Sequence, residues 1–283
     1  MAPAGIRMFE YEFMQHALAA AALVAVVSGA VGYVLVLRGQ SFAGHALAHV
    51  GFGGATGAVL LGLNPLWGLM ALTLLAGAGM GLMGERLAER DVGIGMVLAL
   101  SLGLGVLFLH FVTGFATQTT SLLFGNVLSV DAGTVWMLAG ISALCLLGLA
   151  VILRPLLFVS LQPELAEARG VPPRRYSVLF LLLVALATAE CVQIVGVLLV
   201  FTLMVGPAAA AQRLTVRLAP GMALSAGLAV LEAWGGIVLA YVTDWPSTFW
   251  ITALSAGVYG GAALFPLILD SLILRRRREI RMT

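Results

Sequence analysis

The stretch "QHALAAAALVAVVSGAVGYVLVL", Gln15–Leu37, contains no Asp, Glu, Lys or Arg. A helix needs about 20 consecutive apolar residues to cross a bilayer, so this stretch is long enough to span. No cleavage site of small residues follows a short apolar core, as it would in a secretory signal peptide. We therefore expect a permanent first transmembrane helix.

The whole chain has the same character as its first span. Of its 283 residues, 61% are hydrophobic and only 10% are charged, and the mean hydropathy is +1.07, which excludes an ordinary soluble domain. The candidate spans are 15–37, 45–63, 65–83, 93–112, 134–157, 177–193, 195–211, 219–242 and 249–274. The seventh is short and contains Pro207, so a broken or re-entrant helix is an alternative there.

The 34 glycines include pairs spaced four apart, Gly53 with Gly57 and Gly77 with Gly81. Small residues at this spacing let helix backbones approach closely. The sequence predicts an all-α, polytopic membrane protein of about eight to nine transmembrane helices, packed in one compact bundle. No linker appears, so residues 1–283 are expected to form a single transmembrane domain.

All 15 basic residues are arginines, and their positions predict the topology. Positive residues concentrate on the cytoplasmic side of membrane proteins. If the basic tail at 275–283 is cytoplasmic, alternation through nine spans places every arginine except Arg7 on that side. We expect an extracytoplasmic N-terminus and a cytoplasmic C-terminus.

Several chemistries are excluded by what the full sequence lacks. It has no lysine, so no P-loop can hydrolyse ATP on this chain. The stretch "HALAH", His45–His49, lacks the glutamate that a zinc protease helix carries beside its first histidine. Cys145 and Cys191 lie far apart in apolar runs, and neither a disulfide framework nor a thiolate metal site is indicated.

Two histidines and three other polar residues are the candidates for a pathway through the membrane. His45 and His49 are four residues apart and therefore share one helix face. Ionisable residues in membranes usually face a cavity or a partner, although each imidazole can instead be held by a backbone carbonyl. Glu190, Gln193 and Glu232 are weaker candidates, because carboxylates can also be neutral at a helix interface.

The segment "LQPELAEARGVPPRRYS", Leu161–Ser177, predicts a short helix on the arginine-rich side. Proline and glutamate suit a helix start, and glycine followed by prolines ends one. The alternatives are an ordinary connecting loop and a docking element near 162–170 for a soluble partner. If the segment is a docking element, we expect the contact to be made by Pro163, Glu164, Glu167, Arg169 and Gly170.

Six motifs in order make the chain similar to a known family. They are "YEFMQHAL" (11–18), "LRGQSFAGHALAHV" (37–50), "GERLAERDVGIGMV" (84–97), "SLLFGNVLSV" (121–130), "PELAEARGVP" (163–172) and "QIVGVLLVFTLMVGPAAAA" (193–211). Together they resemble the permease subunits of ABC transporters that import zinc and manganese. The resemblance implies a homodimeric permease in the plasma membrane of a prokaryote, two copies of an ATP-binding subunit, and an extracytoplasmic metal-binding protein. It also implies that the "PELAEARGVP" helix is the coupling helix that docks into the ATP-binding subunit.

The resemblance also implies which residues meet the metal. The family usually carries an aspartate and a histidine in the motif that reads "GHALAH" here; the histidine corresponds to His49, and His45 replaces the aspartate. Imidazole suits zinc and its neighbours, whereas a carboxylate oxygen suits manganese. We therefore expect zinc as the transported ion, with manganese and iron as the other candidates. No permanently bound cofactor and no nucleic-acid partner are expected.

Two alternative functions stay open at this point. One is a permease for a metal complex such as a siderophore or a corrinoid, which needs a wide pathway and no direct ligation. The other is a membrane haem protein with the two histidines as axial ligands, although their spacing on one helix face disfavours that arrangement.

Overall fold

The computed structural model describes residues 11–83, 87–112, 123–125 and 127–282. Ten α-helices follow one another in these residues, with a 3-10 turn at Val127–Ser129, and no strand occurs among them. The helices are α1 Glu12–Leu37, α2 Ser41–Leu60, α3 Pro65–Leu82, α4 Leu87–His110, α5 Ala132–Leu161, α6 Pro163–Ala168, α7 Pro173–Val195, α8 Val197–Leu214, α9 Leu218–Thr243 and α10 Ser247–Met282. The predicted all-α fold is confirmed.

Eight helices in the described part of the chain are long and apolar enough to cross a membrane: α1, α3 to α5, and α7 to α10. The ninth long helix, α2, corresponds to the predicted second span and has 20 residues. Its histidines and its small polar residues lower its hydropathy, and it packs between α3 and α4 with further contacts to α7 and α8. Neighbouring helices thus shield a segment that lipid would accept less readily.

The predicted break in the seventh span lies elsewhere. Helix α8 runs without interruption through Pro207, which removes only one backbone donor from the helix. The chain instead reverses at Gly196, which has φ of 80° and ψ of 164°. A Cβ at Gly196 would lie 2.3 Å from the backbone nitrogen of Gly125, so only glycine allows this turn under the 123–125 segment.

Glycine contacts bring the helices close together, as the spacing predicts. A Cβ at Gly77 would lie 2.8 Å from the Leu181 carbonyl oxygen, and one at Gly81 would lie 2.6 Å from the Val178 Cα. Both glycines therefore face α7. Gly53 approaches α4 in the same way, since its Cβ would lie 2.8 Å from the Ser101 carbonyl oxygen.

One end of the bundle collects the described arginines. The end of α1, the end of α5 and the start of α7 meet there, because Arg38 donates to Ser160 and Ser177. Val216, between α8 and α9, and Leu218, the first residue of α9, line the same cavity as Arg38. We call this end of the molecule the arginine end. Arg7 and Arg86 lie outside the described residues, and the orientation relative to the cell stays a prediction.

Candidate metal pathway

Helix α2 carries the two histidines one above the other. The ring centroids of His45 and His49 are 4.7 Å apart, and their planes cross at 83°. The His45 ring also meets the edge of Phe201 on α8, with centroids 5.4 Å apart and an angle of 80°. The predicted sharing of one face is thus observed, and that face lies toward α8.

Both imidazoles are half-buried, and one nitrogen of each has no protein partner. The Nδ1 atoms of His45 and His49 are buried and make no hydrogen bond within the described residues. Buried polar side-chain atoms nearly always find a partner, and a neutral imidazole nitrogen is a good metal ligand. Among the described residues, no backbone carbonyl accepts a hydrogen bond from either Nδ1, and the roles of the two histidines stay predictions.

The small residues around the pair let α2 pack closely on its neighbours. A Cβ on Gly44 would lie 2.7 Å from a Leu35 methyl group, and one on Gly54 would lie 2.3 Å from the Gly68 carbonyl oxygen. Helix α2 therefore packs closely on α1 and α3, and the histidine side chains are placed by a rigid backbone.

The carboxylates lie elsewhere in the bundle. Glu190 is 1% exposed, and its Oε1 accepts a hydrogen bond from the Ser142 hydroxyl on α5. Glu232 is 2% exposed on α9, one turn before Gly236, which packs against Ile251 of α10. Gln193 is half-buried on α7, and its Oε1 has no partner among the described residues.

Glu190 and Glu232 form no metal-binding cluster with the two histidines among the described residues. Within the part of the chain that is described, no three His, Cys, Asp or Glu side chains lie close enough to hold one ion. One chain therefore offers two imidazoles, and Glu190 and Glu232 lie in other helix interfaces. The roles of Glu190, Gln193 and Glu232 in a pathway stay predictions.

The short helix α6 lies at the arginine end between α5 and α7. Pro163 occupies its first turn, and Gly170 ends it with φ of 76°. The Val171 N–H donates to the Ala166 carbonyl at 2.9 Å, and the Gly170 N–H donates to that of Glu167 at 2.9 Å, which is a Schellman end.

The outer face of α6 is open and polar. Glu164, Glu167 and Arg169 are exposed. The two glutamates border a cleft of about 780 Å³ together with Met83 and Arg174. This surface can receive a partner, and its contact with an ATPase stays a prediction.

Two contacts in the structure were not predicted from the sequence. Phe201 packs against His45 from another helix, and no local pattern reports such a pairing. Arg38 is more than a marker of topology, because it joins three helices at the arginine end. Its position directly before the histidine motif was the available signal.

A bundle of membrane-length helices, with imidazoles inside it and a short exposed helix at one end, defines the class of a transporter permease. The chain belongs to the ABC 3 transport family, whose profile matches residues 10–265. The resemblance to permease subunits of metal ABC importers is thereby confirmed, and the chain is a multi-pass membrane permease subunit.

The relatives agree with this assignment. The manganese import system permease protein ScaB of Streptococcus parasanguinis is 32% identical over 233 residues, covering 82% of this chain and 83% of the relative. The manganese transport system membrane protein MntC of Halalkalibacterium halodurans is 29% identical over 260 residues, covering 92% of this chain and 89% of the relative.

Solved structures share the fold. A chain of PsaBC from Streptococcus pneumoniae in complex with Fab has a TM-score of 0.82 and 28% identity, covering 93% of this chain and 95% of that one. An inward-facing putative metal-chelate type ABC transporter has a TM-score of 0.69 at 16% identity, covering 95% and 91%. The second likeness concerns the fold alone.

Proposed function

We propose that the chain is the permease subunit of an ATP-driven importer of divalent transition-metal ions, in which His45 and His49 form the site where the ion passes. The observation that carries this proposal is the pair of half-buried imidazoles in edge-to-face contact, whose Nδ1 atoms have no partner among the described residues. They lie in a bundle whose other described helix interfaces are mostly apolar.

The transported ion in this proposal is zinc, with manganese and iron as competitors. Two imidazoles are nitrogen donors of intermediate softness, which suit zinc better than manganese. The relatives named above are manganese proteins by name. The substitution of the family's usual aspartate by His45 is the reason to expect a different preference here.

A homodimer completes the site in this proposal. Zinc takes about four ligands in a tetrahedral arrangement, and one chain supplies two. A two-fold axis beside the histidines of α2 would bring the same two residues from the second copy. The ion is then held by four neutral nitrogens, and the site should bind it weakly, because an ion held too firmly would not leave.

The remaining assignments concern partners and orientation. Two ATP-binding subunits would dock on α6 through Pro163, Glu164, Glu167, Arg169 and Gly170, since the chain has no P-loop of its own. The arginine end and the tail at 275–283 would be cytoplasmic by the positive-inside rule. An extracytoplasmic binding protein would deliver the ion to the opposite end.

The haem alternative conflicts with the geometry. Axial ligands bind from opposite faces of the macrocycle, whereas the two rings lie on one helix face with centroids only 4.7 Å apart. The metal-complex alternative is not favoured by the manganese-named relatives.

Uptake in proteoliposomes tests the proposal directly. The chain and its ATPase subunit are reconstituted with ATP inside, and uptake of radioactive zinc and manganese is measured after addition of the metal-binding protein. We expect ATP-dependent uptake of both ions, with zinc preferred when the two compete. Absence of uptake of either ion, with ATP hydrolysis intact, would contradict the proposed function.

A further inference from the structure

Arg38 occupies a rigid link between α1 and the histidine helix. It is the last residue of the turn that ends α1, and α2 begins three residues later at Ser41. The Gln40 N–H donates to the Leu35 carbonyl at 3.0 Å, and the Gly39 N–H donates to the Val36 carbonyl at 2.9 Å. Gly39 has φ of 65°, so the link has the geometry of a Schellman end.

The Arg38 guanidinium donates hydrogen bonds to the helices before and after α6. Its Nη1 donates to the Ser160 hydroxyl at 2.7 Å, and its Nη2 donates to the Ser177 hydroxyl at 2.9 Å. Ser160 is the second-last residue of α5, and Ser177 lies in the first turns of α7. The two serines therefore bracket the short helix, and one side chain joins both to the start of α2.

Neighbouring groups hold the Arg38 guanidinium and its two hydrogen bonds, which we call the fork, in place. The guanidinium carbon lies 5.4 Å from the centre of the Phe180 ring, which is fully buried. Ser177 is 8% exposed, and the Ser160 hydroxyl donates in turn to the Leu156 carbonyl at 2.6 Å. Arginine is suited to this position because its planar group presents several donors in fixed directions, which a lysine ammonium does not.

This inference rests on the proposed function. We propose that Arg38 is the positioning residue through which α6 moves the histidine helix: a displacement of α6 by the ATPase subunit carries Ser160 and Ser177 with it, and the fork passes that displacement to α2. His45 lies in the second turn of α2, seven residues after Arg38. Movement of the ATPase subunit at the arginine end thereby changes the position of the His45 and His49 side chains.

A distance measurement tests the link without requiring transport. Spin labels are attached to cysteines at Leu161 and Leu61, which are 76% and 75% exposed at the ends of α5 and α2. The background replaces Cys145 and Cys191 by alanine, and labelled chains are diluted with unlabelled ones in the complex with the ATPase subunit. Distances are recorded without nucleotide and with bound ATP.

If Arg38 couples α5 to α2, these two helices move together. The distance between the labels at Leu161 and Leu61 in the wild type is then the same without nucleotide and with bound ATP. Arg38→Gln should broaden the distance or change it by about 2 Å or more between the states, since shifts of this size are typical of coupled helices. Ser160→Ala with Ser177→Ala should have the same effect while leaving the arginine. The control Arg154→Gln, at an exposed arginine of α5, should behave as wild type.

Identical distance distributions in wild type and Arg38→Gln, or a wild-type distance that itself changes with nucleotide, would overturn the inference. If Arg38→Gln does not fold, the serine double variant decides in its place. In proteoliposomes, the metal moved per ATP should fall about 5-fold or more in Arg38→Gln, the usual lower size of such couplings. If the wild type moves no metal, the proposed function fails, and the distances still decide on Arg38.

Discussion

The histidine pair on α2 and the glutamates on α7 and α9 are ionisable residues inside the same bundle of long apolar helices, yet their surroundings differ. His45 and His49 are half-buried, contact each other, and have unpartnered nitrogens. Glu190 and Glu232 are only 1% and 2% exposed, and Oε2 of Glu190 and both carboxylate oxygens of Glu232 also have no hydrogen-bond partner among the described residues. The histidines therefore differ from the glutamates in their partial exposure and in their contact with each other.

The energetic reason is that a charged carboxylate without a partner is costly in an apolar interior. Glu190 has one oxygen on the Ser142 hydroxyl and none on a cation among the described residues. A neutral imidazole carries no such penalty and stays available to an ion. The comparison leads to four predictions about uptake and stability.

The largest effect is expected from His49→Ala. Losing a residue that only orients a ligand costs about 10- to 100-fold in metal affinity, so losing the ligand itself should lower zinc uptake by about 100-fold or more. The matched control is His110→Ala, because His110 is exposed at the end of α4. Normal uptake by His49→Ala would assign the histidine to packing.

External pH should have the next largest effect. Metals bind neutral imidazole, so protons compete with the ion for the same ring nitrogens. Uptake should thus fall as the external pH is lowered and the imidazoles gain protons, with the vesicle interior held at constant pH. Uptake that does not change with external pH would contradict ligation by the two histidines.

A smaller change is expected from His45→Asp, which introduces the family's usual residue. A carboxylate oxygen is a harder ligand than an imidazole nitrogen. The ratio of manganese to zinc uptake should rise by about fivefold, which corresponds to about 1 kcal/mol. Competition between the two radioactive ions measures this ratio, and an unchanged ratio would show that His45 does not touch the ion.

The smallest effects on uptake are expected from the glutamates. Glu190→Gln and Glu232→Gln keep the shape of each side chain, and uptake should stay within about twofold of wild type. Glu190→Ala should lower stability by about 1–3 kcal/mol, because the buried Ser142 hydroxyl loses its acceptor. A collapse of uptake in either Gln variant, with thermal stability retained, would place that carboxylate in the pathway.

Much of the fold follows from local sequence patterns. Long apolar runs predict the spans, and proline before and glycine after a short polar stretch predict α6. Glycines four apart at Gly77 and Gly81 indicate a close helix contact, and both do face α7. These features depend on neighbouring residues along the chain, so a sequence reports them directly.

Features that depend on how separate helices align were not predictable in the same way. Pro207 is a stronger break signal than Gly196, yet the chain turns at Gly196, where the 123–125 segment leaves no room for a Cβ. The contact of Phe201 with His45 and the separation of Glu190 from both histidines depend on helix register. A 3.6-residue period defines faces, but it does not say which faces meet.

X-ray absorption at the zinc edge tests the central claim most directly, because it reports the atoms that bind the ion. The complex is loaded with zinc, and spectra are compared for wild type, His110→Ala and the double variant His45→Ala with His49→Ala. We predict nitrogen ligands at about 2.0–2.1 Å with imidazole scattering in the first two, and loss of that scattering in the double variant. An oxygen-only shell in wild type, or an imidazole signal unchanged in the double variant, would contradict the account.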